Sequence, residues 1–202
     1  MHRKLLNAIV VVCSVLVLFS MLPLRGEAAI YDTVVRLHVI ANSDSEEDQA
    51  RKLRVRDAVL AVTAPLLEDC RSQEEAEALL RANFDGIREA AETVILEDGR
   101  SDAIAVSLTT EEYPTRSYDS VCFPSGEYLS LRVCIGEAVG QNWWCCLFPP
   151  LCLGAASVTA EEAEGAFVSV GLTPSQYKVV TQTDTPVYRA RFKLLELWSA
   201  RR

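Results

Sequence analysis

Three stretches of this chain concentrate side chains able to do chemistry. The first is Arg36-Leu37-His38-Val39-Ile40-Ala41-Asn42-Ser43-Asp44-Ser45. A thiol enzyme could be built on it, with His38 as base to a cysteine nucleophile and Asn42 or Asp44 orienting the ring. That chemistry needs a thiol kept free, and no glycine-rich oxyanion turn accompanies any cysteine. The plainer reading is a strand histidine followed by a helix cap, and no catalytic residue is expected. The second stretch runs from Gln141 to Cys152 and holds Asn142, Trp143, Trp144, Phe148, Pro149 and Pro150. Adjacent tryptophans on an extended chain point opposite ways, and aromatics beside prolines suit a peptide-binding surface because they bury much area at small entropic cost. The alternative is a loop that plugs the core. The third stretch is Arg51, Lys52, Arg54 and Arg56, which spread around a helix axis and read as a solvated face rather than an anion site.

Cysteine spacing narrows the chemistry further. The chain has seven cysteines and two histidines, with no C-x-x-C pair, so neither a zinc site nor a cofactor is expected. Cys145 and Cys152 flank a segment that Pro149 and Pro150 turn back, and they are the pair expected to bridge. In the chain-entropy model so short a loop contributes about 2–3 kcal/mol and locks a local segment. Cys122 and Cys134 fall in an expected hairpin whose register holds them roughly 20 Å apart, beyond the ~7 Å limit for bridged α-carbons.

The chain has 202 residues and a formal net charge of -8. Residues 1–28 read as a leader: Arg3 and Lys4, an apolar run from Leu5 to Leu22, and Gly26 and Ala28 in the small-x-small spacing a signal peptidase reads. Cleavage after residue 28 and retention as an N-terminal anchor, with residues 5–24 in the membrane, both remain open. Without the leader, residues 29–202 carry 17 basic and 27 acidic side chains, a net charge of -10 over 174 residues. That is one domain's length, and its charge argues against nucleic acid and against a polybasic membrane binder. No second apolar run reaches the roughly 18 residues of a span.

The elements that position these residues follow from periodicity. Residues 34–40 predict a strand, with Val35, Leu37 and Val39 on one face and Val34, Arg36, His38 and Ile40 on the other. Ser43 and Glu46 have capping-box spacing, which predicts a helix from Asp44 that Pro65 kinks or ends, with two apolar stripes. Ser72 and Glu75 repeat the spacing and predict a second helix to about Leu96, stopped by Gly99. The period then becomes two at Ile104, Val106 and Leu108, and Pro124-Ser125-Gly126 predicts a hairpin between residues 118–123 and 127–136. Residues 154–186 show no readable pattern, and Val187–Trp198 alternates as a final strand. The expected fold is α+β, a single domain with two helices packed on a mainly antiparallel sheet.

The run R-L-H-V-I-A-N-S-D-S-E-E-D-Q at 36–49, L-R-V-R-D-A-V at 53–59, Phe123–Tyr128 and the Asn142–Cys152 string resemble the stage II sporulation protein R family. The resemblance covers about residues 34–153, with a weaker echo at Phe192–Trp198. It implies a signal protein of endospore formation, exported from the forespore into the space between two membranes. There it would activate, by binding, a membrane-embedded aspartic protease of the mother cell that removes the pro-sequence of the sigma-E precursor. Arg36, Asn42, Ser43, Asp44, Asn142, Trp143, Trp144, Cys145 and Cys152 match the pattern and are, with Phe148, Pro149 and Pro150, the residues considered for partner binding and its disulfide. Cys146 departs from the pattern, standing where an apolar residue is expected.

Overall fold

The computed structural model describes residues 2–20, 27–118, 121–151 and 159–173. The chain divides into two units, residues 26–183 and a second that contains α1 (His2–Ser20). Helix α1 covers most of the apolar leader and leaves Leu5, Leu6, Val10, Val11, Val12 and Val15 exposed. Among the described residues, no helix is long and apolar enough to cross a membrane. Gly26 of the expected cut site lies outside the described residues, while Ala28 falls in α2 (Glu27–Tyr31). Ile30, two residues on, is fully buried and is the first core residue of the larger unit.

Strand β1 (Val35–Ile40) is followed by α3 (Glu46–Leu67). The cap of α3 is Ser45, whose hydroxyl accepts from Asp48 N, and not Ser43 as its spacing with Glu46 suggests. Ser43 is drawn off by the Asp48 carboxylate. Helix α3 buries one stripe, Val55, Val59, Thr63 and Leu67, and its second apolar stripe stays partly exposed, with Ala50 and Ala61 in solvent. Pro65 sits in the last turn, and α3 ends two residues later.

The single helix expected over 72–96 is two helices, α4 (Gln73–Ala82) and α5 (Phe84–Glu97). The break falls at Asn83, whose amide donates back to Leu79 O and so competes with the helical ladder. Gly86 is inside α5 and does not interrupt it. Gly99, at φ 67°, ends α5 with a bond from Arg100 N to Ile95 O.

Strands β2 (Ile104–Tyr113), β3 (Arg116–Tyr118), β4 (Val121–Phe123), β5 (Gly126–Ile135) and β6 (Asn142–Phe148) follow, and then α6 (Ala160–Ser169). The main sheet has the order β2-β5-β1-β6, with β1 parallel to β5 and the other pairs antiparallel. The architecture is α+β, as expected, with three helices rather than two on one face. The expected hairpin across Pro124-Ser125-Gly126 does not form. β4 pairs back with β3 in a small ribbon, and β5 pairs with β2 and β1. Cys122 therefore faces Ser117, Cys134 lies between Ala105 and Ile40, and neither is in a disulfide. That they do not bridge is as expected, but the register behind it is different.

Both faces of the sheet are covered. On one, Val35, Leu37 and Val39 meet Leu131, Val133, Val55, Val59, Leu80, Ile87 and Ala91. On the other, Val34 joins Ile30, Tyr113, Phe123, Tyr128, Ala163 and Phe167. The last two come from α6, in the stretch with no readable pattern, where Thr159 and Glu162 form a reciprocal capping box. The strand expected at Val187–Trp198 lies outside the described residues.

The turn between β5 and β6 is seated on the loop after β1. Gly140 N donates to Ala41 O at 3.0 Å, and a β-carbon on Gly140 would stand 2.2 Å from Ser43 O. Gly136, at φ 57°, approaches Asn42 as closely. We expect Gly140→Ala to lift this turn and cost about 2–3 kcal/mol in urea unfolding, the range of steric overpacking, whereas Gly86→Ala, which meets no atom, should not destabilise.

Candidate functional site

Strand β6 is bonded to β1 with His38 opposite Trp144 and Ile40 opposite Asn142. Consecutive strand side chains alternate faces, so Trp143 turns to the helix side and Trp144 to the other. Each is capped by a guanidinium: Arg56 lies 4.5 Å from the Trp143 ring centre and Arg116 4.0 Å from that of Trp144. Both indoles are half-buried. The stretch expected as a loop is thus an ordered strand, and its β-branched-poor composition hid it.

His38 sits beneath Trp144, with ring centres 5.4 Å apart. Its Nδ1 hydrogen-bonds Glu111 Oε2 at 3.1 Å and its Nε2 hydrogen-bonds Asn142 Oδ1 at 2.8 Å. Arg132, opposite His38 on β5, approaches Glu111 at 3.7 Å. Burial works to raise the Glu111 carboxyl, but hydrogen bonds from His38 and Ser130 and the charges of His38 and Arg132 outweigh it and hold it below the usual range. Neither Asn42 nor Asp44 orients the ring, and no cysteine sulfur bonds it among the described residues. Cys134 and Cys146 lie one pairing step away on the same face. Burial pushes the Cys146 thiol up to about 12, and its sulfur lies 3.3 Å from Phe148 O and 3.4 Å from Pro149 O. Such a thiol is a poor nucleophile.

Arg36 is fully buried. Its guanidinium lies 4.5 Å from the centre of Phe123, 4.7 Å from Tyr113 and 5.2 Å from Tyr128, and Nε donates to Cys145 O at 2.9 Å. Phe148 is also buried, at 1% exposure. Both lie inside the domain and support β6 from within. Pro150 is exposed and Pro149 buried, after a cis Phe148–Pro149 bond. Cys145 is not among the unbridged thiols, and Cys152 lies outside the described residues.

Asn42, Ser43 and Asp44 are spent on the fold. Asn42 Nδ2 and Ser43 Oγ donate to Asp48 Oδ2 at 2.8 and 2.6 Å, and Asn42 Oδ1 accepts from Glu137 N at 3.0 Å. Asp44 Oδ1 accepts from Gln141 N at 2.7 Å. Arg51 bridges Asp48 and Asp98, and Lys52 Nζ donates to Gln141 O at 2.9 Å. Arg51 and Lys52 are therefore buried fasteners, not parts of a solvated face. The residues that sequence reasoning missed are Glu111, Arg116 and Arg132. Glu111 shares a strand face with Tyr113, a signal visible only once the period-two reading is carried to the end of β2.

Elsewhere, a cleft of about 650 Å³ is lined by Tyr31, Gln73, Glu77, Arg81, Thr109 and Glu127. Among the described residues, no group of three His, Cys, Asp or Glu is placed to hold a metal ion.

Hydrogen bonds from Ser43 and Asn42, with Arg51 nearby, hold the Asp48 carboxyl below its ordinary 3.8 against the cost of burial. Bonds from Arg54 and Arg51 bring Asp98 down to about 2. Depressed carboxylates stabilise the fold above their unfolded pKa, and that stability is lost as pH falls through the folded values. Stability should thus be whole above about pH 4 and fall as pH drops toward 2. Asp48→Asn should cost about 2 kcal/mol at neutral pH and flatten this acid slope, read by urea unfolding at several pH values. An unchanged slope would remove Asp48 from that role.

The family model of Stage II sporulation protein R matches residues 31–158. Stage II sporulation protein R of Bacillus subtilis (strain 168) is 37% identical over 121 residues, 60% of this chain and 54% of the relative. The chain thus spans about half the length of the curated relative it matches. No solved structure matches significantly. The chain belongs to the stage II sporulation protein R family.

Proposed function

We propose that this chain, as a member of that sporulation family, is an exported signal that activates a membrane-embedded aspartic protease by binding it. The protease then removes the pro-sequence of the sigma-E precursor. The site of action is the space between forespore and mother cell, reached through the leader at residues 1–28, whether that leader is cut or kept as an anchor. The observation that carries the binding role is β6. It sets Trp143 and Trp144 on opposite faces of one strand, each held by an arginine. Tryptophan and arginine are the side chains that dominate binding energy at protein interfaces.

The protein acts without catalysis of its own. The thiol-enzyme alternative loses its support because both ring nitrogens of His38 are spent on Glu111 and Asn142. A Cys145–Cys152 bridge is part of the proposal, supported by the disulfide-bonded state of Cys145.

Co-production with the protease and a sigma-precursor reporter in a non-sporulating host tests the reading. Precursor cleavage should depend on this chain, and cleavage without it would sink the proposal. Trp143→Ala and Trp144→Ala should each lower cleavage by about tenfold or more, the 1.4 kcal/mol or greater of an interface anchor, with urea midpoints showing the fold intact. The mass of the exported product decides whether the leader is removed.

A further inference from the structure

The second face of the sheet ends in a basic strip on an otherwise acidic chain. Across β5, β1 and β6 the register places Arg132, His38 and Trp144 in one row. Two strand spacings, about 10 Å, separate Arg132 from Trp144. Arg116 reaches in from the small β3–β4 ribbon and stacks on Trp144 at 4.0 Å. Among the described residues Arg116 has no carboxylate partner, and the Arg132–Glu111 pair is loose at 3.7 Å. The Nε atoms of both arginines are shielded from solvent without an acceptor. A shielded donor without an acceptor costs about 1–3 kcal/mol, so both guanidiniums stand incompletely satisfied.

We propose that the Arg116–Trp144–His38–Arg132 strip docks an acidic, extended segment of the partner polypeptide, with carboxylates paired to Arg116 and Arg132 and the segment crossing Trp144. This rests on the binding role proposed above and names its chemistry. A guanidinium stacked on an indole keeps its in-plane N–H fork for a carboxylate, and such bidentate, charge-assisted pairs are the strong ones. The one acidic group in the strip, Glu111, is occupied by His38. The chain's net charge of -8 opposes the approach of an acidic segment overall, so such a segment needs a locally basic landing point. Electrostatic complementarity of this kind selects partner and register more than it adds affinity.

The test uses the full chain in the co-production system. Arg116→Glu and Arg132→Glu should each lower precursor cleavage by about tenfold or more. Full cleavage by both variants overturns the strip, while the activator role survives if wild-type dependence remains. A second arm does not rely on loss of function. Arg116→Lys and Arg132→Lys place an amine in the strip, and a zero-length carbodiimide, which joins amines only to carboxylates, should link each to the protease. Arg100→Lys, paired with Asp102 outside the strip, should give no link. Absence of a link from both strip variants in an activating mixture overturns the proposal. So does binding to phosphatidylglycerol vesicles that Arg116→Glu abolishes with no link to the protease, since the strip would then read lipid phosphate.

Discussion

A charged side chain stands at the centre of this domain. Arg36 lies on β1, a strand bonded along both edges and covered on both faces, and it is fully buried. Taking a cation out of water costs several kcal/mol even after relaxation. Much of the second face answers that cost. Tyr113, Phe123 and Tyr128 turn their rings to the guanidinium, and Cys145 offers its carbonyl. The ribbon β3–β4 brings Phe123, and α6 closes over it with Phe167 at 6.2 Å between ring centres. The same carbonyl contact fixes the middle of β6, so the placement of the two tryptophans depends on Arg36 although Arg36 never reaches the surface.

The helix face was legible because its signals are local. Apolar period and caps identify β1, α3 and the start of α4, and Gly99 marks the end of α5, within a residue or two. What escaped was decided by competition between distant groups. Ser43 lost the helix cap to Ser45 because Asp48 claimed its hydroxyl. The Pro124-Ser125-Gly126 turn lost its hairpin because β5 gains two long neighbours in the main sheet, which three residues of β4 cannot match. β6 read as a loop because Cys and Pro mask a strand whose side chains pack on both faces.

The candidate site was legible in part. The two-faced arrangement of Trp143 and Trp144 follows from strand geometry alone, and it is what the structure shows. The motif residues Asn42, Ser43 and Asp44 were readable as a cluster but not as fasteners, because the distant partners of Asn42 and Asp44 lie 95 and 97 residues away, at Glu137 and Gln141. Arg116 and Arg132 carry no local signal: an isolated arginine in a strand gains meaning only from the row it joins.

One imidazole has a mechanical consequence. β2 and β6 are the opposite edges of the sheet, and His38, from the strand between β5 and β6, holds Glu111 of one and Asn142 of the other. A side chain of β2 can reach that ring only if the sheet curls over β5. The ring is then a tie across an arch, and an arch so tied resists flattening. A ligand meeting this face finds its curvature already set, so little ordering remains to be done at the moment of contact.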